Sequence, residues 1–129
     1  MKRVTGLGGV FFKVKDPAKT KEWYQKHLGI ETDQYGGMFK WREKDDPDKV
    51  GGTAWSPFDE KTEYFKPSEK EYMLNYRVEN LVELLKVLKE EGVEIVGEIE
   101  EYDYGKFGWI LDADGNKIEL WEPLDESKL

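Results

Sequence analysis

The sequence predicts an α+β fold of two tandem βαβββ modules that form a curved sheet around a central cavity. Three observations predict it. The order strand, helix, three strands can be read twice along the chain. Landmarks recur at nearly constant offsets: Val14-Lys15-Asp16 lies 64 residues before Val78-Glu79-Asn80, Gly29 lies 63 before Gly92, and Asp46 and Trp55 each lie 66 before Asp112 and Trp121. Such self-similarity marks a duplicated unit. A period-two apolar pattern precedes each helical segment, as in a half-buried strand.

In the first module, Val10, Phe12 and Val14 alternate with Gly9, Phe11 and Lys13. Asp16 is placed to cap a helix whose first residue is Pro17, where a missing N–H costs nothing. Trp23, Tyr24 and Leu28 form its apolar face, and Gly29 supplies a left-handed stop. Strands are then predicted over Ile30–Tyr35, Gly37–Arg42 and Gly51–Ser56, the last two separated by the polar turn Lys44-Asp45-Asp46-Pro47-Asp48.

The second module is cleaner. Leu74, Tyr76 and Val78 alternate with Met73, Asn75 and Arg77. Asn80, with Glu83 three residues on, resembles a capping box. Leu81, Leu84, Leu85 and Leu88 share one helical face, and Gly92 ends the helix. Strands follow near Val93–Ile99, Phe107–Asp112 and Lys117–Trp121, with Asp114-Gly115 as a hairpin signal. The chain thus divides into a module at about 6–56, a linker at 57–70 containing Pro57 and Pro67, and a module at about 71–123, all within one domain of 129 residues. A polar, loose tail is expected over 122–129. A βαβββ unit covers one face of its sheet with its helix, so pairing two units leaves the open faces to enclose a ligand cavity.

Composition excludes several classes of function. Five Trp, seven Tyr and six Phe provide a core despite 37% charged residues. The absence of cysteine removes disulfides, thiolate zinc sites and a cysteine nucleophile. One histidine, His27, cannot make a multi-histidine metal site, and its place at a helix end is expected to be peripheral. The net charge of −8 opposes nucleic-acid binding and favours cationic ligands. No apolar run spans a membrane. The N-terminal residues lack a secretory pattern, so a cytoplasmic protein is expected.

The segments Gly9-Val10-Phe11-Phe12-Lys13-Val14-Lys15-Asp16, Trp23-Tyr24, Leu28-Gly29 and Asp112-Ala113-Asp114-Gly115-Asn116-Lys117-Ile118-Glu119-Leu120-Trp121 form an ordered set along the chain. In order and spacing they resemble the vicinal oxygen chelate superfamily, which includes glyoxalase I, extradiol dioxygenases, fosfomycin-resistance enzymes and bleomycin-resistance proteins. The resemblance spans about residues 6–123. It implies strand order 1-4-3-2 in each module and a homodimer. In metal-dependent members, the first and last strands of each module supply four ligands, usually His, Glu or Gln. Carried over, those positions fall on Gly9, Thr53, Met73 and Glu119. Only Glu119 could ligate a hard cation well. The expectation is therefore a chain without the usual metal site and without a cofactor.

Alternation then assigns faces. Residues in step with Gly9, Met73 and Glu119 are Phe11, Lys13, Thr53, Trp55, Asn75, Arg77, Lys117 and Trp121. They mix aromatic with ionisable groups, as a ligand site does. Val10, Phe12, Val14, Leu74, Tyr76, Val78, Ile118 and Leu120 face the helices instead. The aromatic segment Glu100–Trp109 is placed as a rim over the cavity. Candidate ligand-binding residues are Phe11, Trp55, Met73, Asn75, Arg77, Tyr102, Trp109 and Trp121. Glu119 is the candidate catalytic residue: paired with Arg77 or Lys13 it is structural, but secluded among aromatics it becomes a general base. The expected function is binding of an unidentified small organic molecule. The alternatives are a metal-independent lyase- or isomerase-like enzyme using Glu119, and a metal-dependent glyoxalase-like lyase.

Overall fold

Alternating apolar residues make Val4–Val14 a long strand, β1, and Asp16 turns the chain into helix α1, Pro17–Leu28. The Asp16 carboxylate accepts the Lys19 N–H at 3.2 Å, and Gly29 ends the helix at φ 69°. Strands β2, Gly37–Arg42, and β3, Val50–Asp59, complete the first half. The second half contains β4, Tyr72–Val78, α2, Leu81–Glu90, β5, Ile95–Tyr102, β6, Gly105–Leu111, and β7, Lys117–Pro123. The structure, a computed structural model, describes residues 2–124; most of the expected tail lies outside the described residues.

All seven strands join one mixed sheet in the order β2-β3-β1-β4-β7-β6-β5. The second module, β4-β7-β6-β5, has the order 1-4-3-2. The first has the same order without its second strand, because Ile30–Tyr35 is not a strand. Asp33 diverts it: its carboxylate accepts the N–H of Tyr35 at 2.8 Å and of Gly36 at 3.1 Å. A carboxylate that satisfies its own neighbours' amides competes with strand pairing. The modules meet where β1 runs antiparallel to β4, with Gly9 opposite Asn75.

Both helices lie on one face. Leu81, Leu84 and Leu85 of α2 bury against Val78 and Leu120, with Tyr76, Ile110 and Ile118 around them. Full burial of each leucine contributes about 1.5–3 kcal/mol. Asn80 caps α2 by accepting the Glu83 N–H, and the Glu122 carboxylate of β7 accepts the Leu81 N–H at 2.8 Å. On α1, Tyr24 meets Trp55 edge-on at 4.9 Å. His27 sits exposed on that helix beside Trp23.

Part of the helix-free face is covered by the chain's own linking segment. After β3, residues 60–71 cross this face, held by Glu60 N–H to Val14 and Lys13 N–H to the Glu71 carbonyl. Phe65 is wholly buried there against Phe11, Met73 and Trp109, with Phe58 beside it. The hollow expected between the modules is therefore packed with aromatic rings where these residues lie.

Candidate functional site

Strand register brings the central residues together. Ala54, Gly9, Asn75, Glu119, Trp109 and Val96 are successive cross-strand partners from β3 to β5. Paired neighbours in a sheet present their side chains to the same face. Glu119 thus lies mid-row between an amide and an indole. Asn75 Nδ2 donates to its Oε1 at 2.6 Å and Trp109 Nε1 donates to its Oε2 at 3.0 Å. The Tyr64 hydroxyl, descending from the linking segment, also donates to Oε2. Three neutral donors therefore hold a carboxylate that is only 3% exposed.

Burial raises the Glu119 pKa, because a charge out of water is costly. The three donors and the Lys117 charge act in the opposite direction without cancelling it. Burial and the Glu119 charge together push the Tyr64 phenol far up, so it remains a proton donor. Lys117 is lowered by burial; its Nζ donates to the Tyr64 carbonyl at 2.7 Å and lies over the Tyr64 and Trp109 rings. Beyond Tyr64 and Trp109 an open groove of about 490 Å³ is bounded by Lys117, Val96–Glu100 and Glu63. Tyr64 and Trp109 line that groove, whereas Glu119 does not.

Two glycines make room for this arrangement. A Cβ at Gly8 would lie 2.1 Å from Asn75 Oδ1, and one at Gly9 would lie 2.8 Å from the Phe11 ring. β1 bulges between Leu7 and Gly9, which brings this backbone against the amide. Asn75 Oδ1 itself is buried, and no donor among the described residues bonds to it.

Of the candidate ligand-binding residues, Asn75 and Trp109 stand with Glu119. Phe11 and Met73 occupy the next row, packed under Phe65. Arg77 and Trp121 form the row on the other side, where the Arg77 guanidinium lies 4.9 Å from the Trp121 ring and 5.5 Å from Trp41. One placement differs from expectation. Trp55 turns to the helix face, against Phe12 and Tyr24, because parallel β1–β3 pairing aligns Gly9 with Ala54 and so puts the even β3 residues on the Glu119 face. Tyr102 stacks on Tyr104 at 5.4 Å, meets the Phe107 ring edge-on at 6.0 Å and donates to Glu100, at the end of the β5–β6 hairpin. Tyr64 escaped the sequence reading. Its signal is an aromatic pair, Tyr64-Phe65, inside a linker whose other residues, Phe58 and the two prolines apart, are polar.

The donor set does not fit the metal that the resemblance implies in metal-dependent members. Gly9 has no side chain and no space for one. Met73 is sealed in the aromatic cluster. Thr53 Oγ1 is committed, donating to the Leu7 carbonyl at 2.6 Å and accepting from Trp41 Nε1 at 2.8 Å. Among the described residues, no group of three His, Cys, Asp or Glu side chains could hold a metal ion.

The fold is a two-module sheet that carries, among the described residues, one buried carboxylate on its helix-free face. The profile of the Glyoxalase/Bleomycin resistance protein/Dioxygenase superfamily matches residues 6–120, and the chain belongs to that superfamily. Methylmalonyl-CoA epimerase from Mycobacterium tuberculosis is similar in structure, with 25% identity, TM-score 0.67, and coverage of 99% of this chain and 94% of that one. A variant of Streptomyces coelicolor methylmalonyl-CoA epimerase in complex with 2-nitronate-propionyl-CoA has 13% identity, TM-score 0.72, and coverage of 95% and 99%. A NAD-dependent benzaldehyde dehydrogenase from Legionella pneumophila has 20% identity, TM-score 0.59, and coverage of 90% and 98%. The latter two likenesses show the fold alone. No curated protein matches the sequence. Among the described residues, no helix is long and apolar enough to cross a membrane.

Proposed function

We propose that this chain is a metal-independent proton-transfer enzyme, isomerase- or lyase-like, in which Glu119 is the base for a carbon acid next to a carbonyl. The observation that carries the reading is the buried Glu119 carboxylate, held by Tyr64, Asn75 and Trp109 with its pKa raised. A base works best when its pKa approaches the working pH. The reaction asked of it is simple. Glu119 accepts a proton, the electron pair remains on the ligand as an enolate, and the proton returns to the same or another carbon. The Lys117 ammonium, bordering the groove, supplies a charge to stabilise the enolate. The likeness to a methylmalonyl-CoA epimerase at 25% identity supports this direction, since the centre inverted in a methylmalonyl thioester carries a proton made acidic by the carbonyl beside it.

The net charge of −8 and the groove glutamates Glu63, Glu98 and Glu100 work against a phosphate-bearing ligand. The test therefore presents each of several 2-substituted acyl groups both as a CoA thioester and as the uncharged N-acetylcysteamine thioester. Deuterium uptake from D2O at the carbon beside the carbonyl is followed by mass spectrometry. Uptake that Glu119→Gln abolishes supports the reading, and a panel with no uptake ends it.

A second reading, binding without turnover, is favoured by one observation. All three donors already occupy Glu119, so ligand exchange with it requires a rearrangement. In that case a thioester or related compound raises the melting temperature while no deuterium is incorporated.

A further inference from the structure

We propose that Tyr64 is the residue that meets the ligand, and that protons pass between ligand and Glu119 through its hydroxyl. This rests on the reading of Glu119 as a base and adds the route. Glu119 is 3% exposed and does not line the groove, whereas Tyr64 is 37% exposed, lines the groove and donates to Glu119 Oε2. Trp109 closes the same wall and donates to the same oxygen at 3.0 Å. A ligand in the groove therefore meets the Tyr64 side chain before it reaches the carboxylate.

The step balances without a further reactant. The ligand's C–H bond breaks and its proton goes to Tyr64 Oη as the phenol's own proton goes to Glu119 Oε2. The electron pair stays on the ligand, which becomes the enolate, and Glu119 becomes neutral. Reversal returns the proton. Passing both protons in one event avoids a free phenolate beside a carboxylate, which Coulomb repulsion at this burial disfavours. Packing fixes the ring on three sides. It stacks on Phe58 at 5.8 Å, meets Trp109 edge-on at 6.3 Å and carries Lys117 Nζ 5.1 Å from its centroid.

Two measurements on the full chain test it. The first needs no substrate. Carboxyl groups are labelled with a water-soluble carbodiimide and glycine ethyl ester, and Glu119 is compared with the exposed groove residue Glu98. In the wild type Glu119 is expected to label at least roughly tenfold more slowly, as for a group reached only by local opening. Tyr64→Ala brings it towards the Glu98 rate, and Tyr64→Phe, which keeps the ring, leaves it slow. Wild-type labelling of Glu119 as fast as Glu98 overturns the proposal.

The second uses whichever thioester shows deuterium uptake. Tyr64→Phe is expected to lower kcat by about a hundredfold, the scale of a lost acid–base group, with KM unchanged. Wild-type kcat in Tyr64→Phe overturns the relay. Failure of the whole thioester panel removes the base assignment and the relay together. The labelling result still reports whether Tyr64 screens Glu119, so the two failures are distinguishable.

Discussion

The Tyr64 hydroxyl donates to the Glu119 carboxylate across 55 residues of chain, tying the linking segment to the last strand. This contact joins a residue with no place in either βαβββ repeat to the central carboxylate of the sheet. It makes the linking segment part of the candidate site rather than a connection between modules.

The first prediction concerns pH. The Glu119 pKa is raised on folding, so its contribution to stability is full below the ordinary carboxylate value and is lost as pH rises through the raised value. The groups facing it are Tyr64, itself pushed up, and Lys117, whose charge tempers the shift, with Glu100 acting on both and Tyr102 feeling the Glu119 charge from the hairpin end. Glu119→Gln removes the titration. Melting curves should therefore show the wild type losing stability relative to Glu119→Gln as pH rises above the ordinary carboxylate range. A difference independent of pH contradicts the burial argument.

Asn75 contributes through one short bond. Asn75→Ala removes the 2.6 Å donor and leaves Glu119 Oε1 without it. Urea denaturation near neutral pH should show a loss of about 1–3 kcal/mol, the cost of an unsatisfied buried group. The loss should shrink as pH falls and Glu119 becomes neutral. An equal loss at acid pH assigns the effect to packing alone.

Gly8 is predicted to tolerate no side chain. A Cβ there would stand 2.1 Å from Asn75 Oδ1 and 2.9 Å from Arg77 Cγ. Gly8→Ala should cost about 1–3 kcal/mol by overpacking. Wild-type stability in this variant would show that the Asn75 amide is free to move.

Phe65 anchors the segment that carries Tyr64. It is fully buried, and its ring lies 5.3 Å from Phe58. Phe65→Ala should cost about 3–5 kcal/mol, the range for deleting a buried aromatic ring. It should also speed proteolytic cleavage within residues 60–70. A stable variant with an unchanged cleavage pattern would mean that the segment is held elsewhere.

Much of this fold was legible because its periodicities are strong. Leu81, Leu84 and Leu85 declared the buried face of α2, and Asp16 and Asn80 declared both helix starts. Alternation also placed Asn75 and Glu119 on one face, since β4 and β7 run in regular parallel register. It failed for Trp55, where counting across the repeat ignored the β1–β3 register. It failed for Ile30–Tyr35, where a local Asp33 turn overrode an apolar start. Tyr64 and Phe65 follow no period at all; only tertiary packing brings them over Glu119.

The measurement closest to the central claim is deuterium uptake by the thioester panel after exhaustive dialysis against EDTA, wild type beside Glu119→Gln. Metal-free proton chemistry at Glu119 predicts uptake that survives chelation and disappears in the variant. Uptake lost with EDTA and restored by a divalent ion, or uptake that persists in Glu119→Gln, contradicts it.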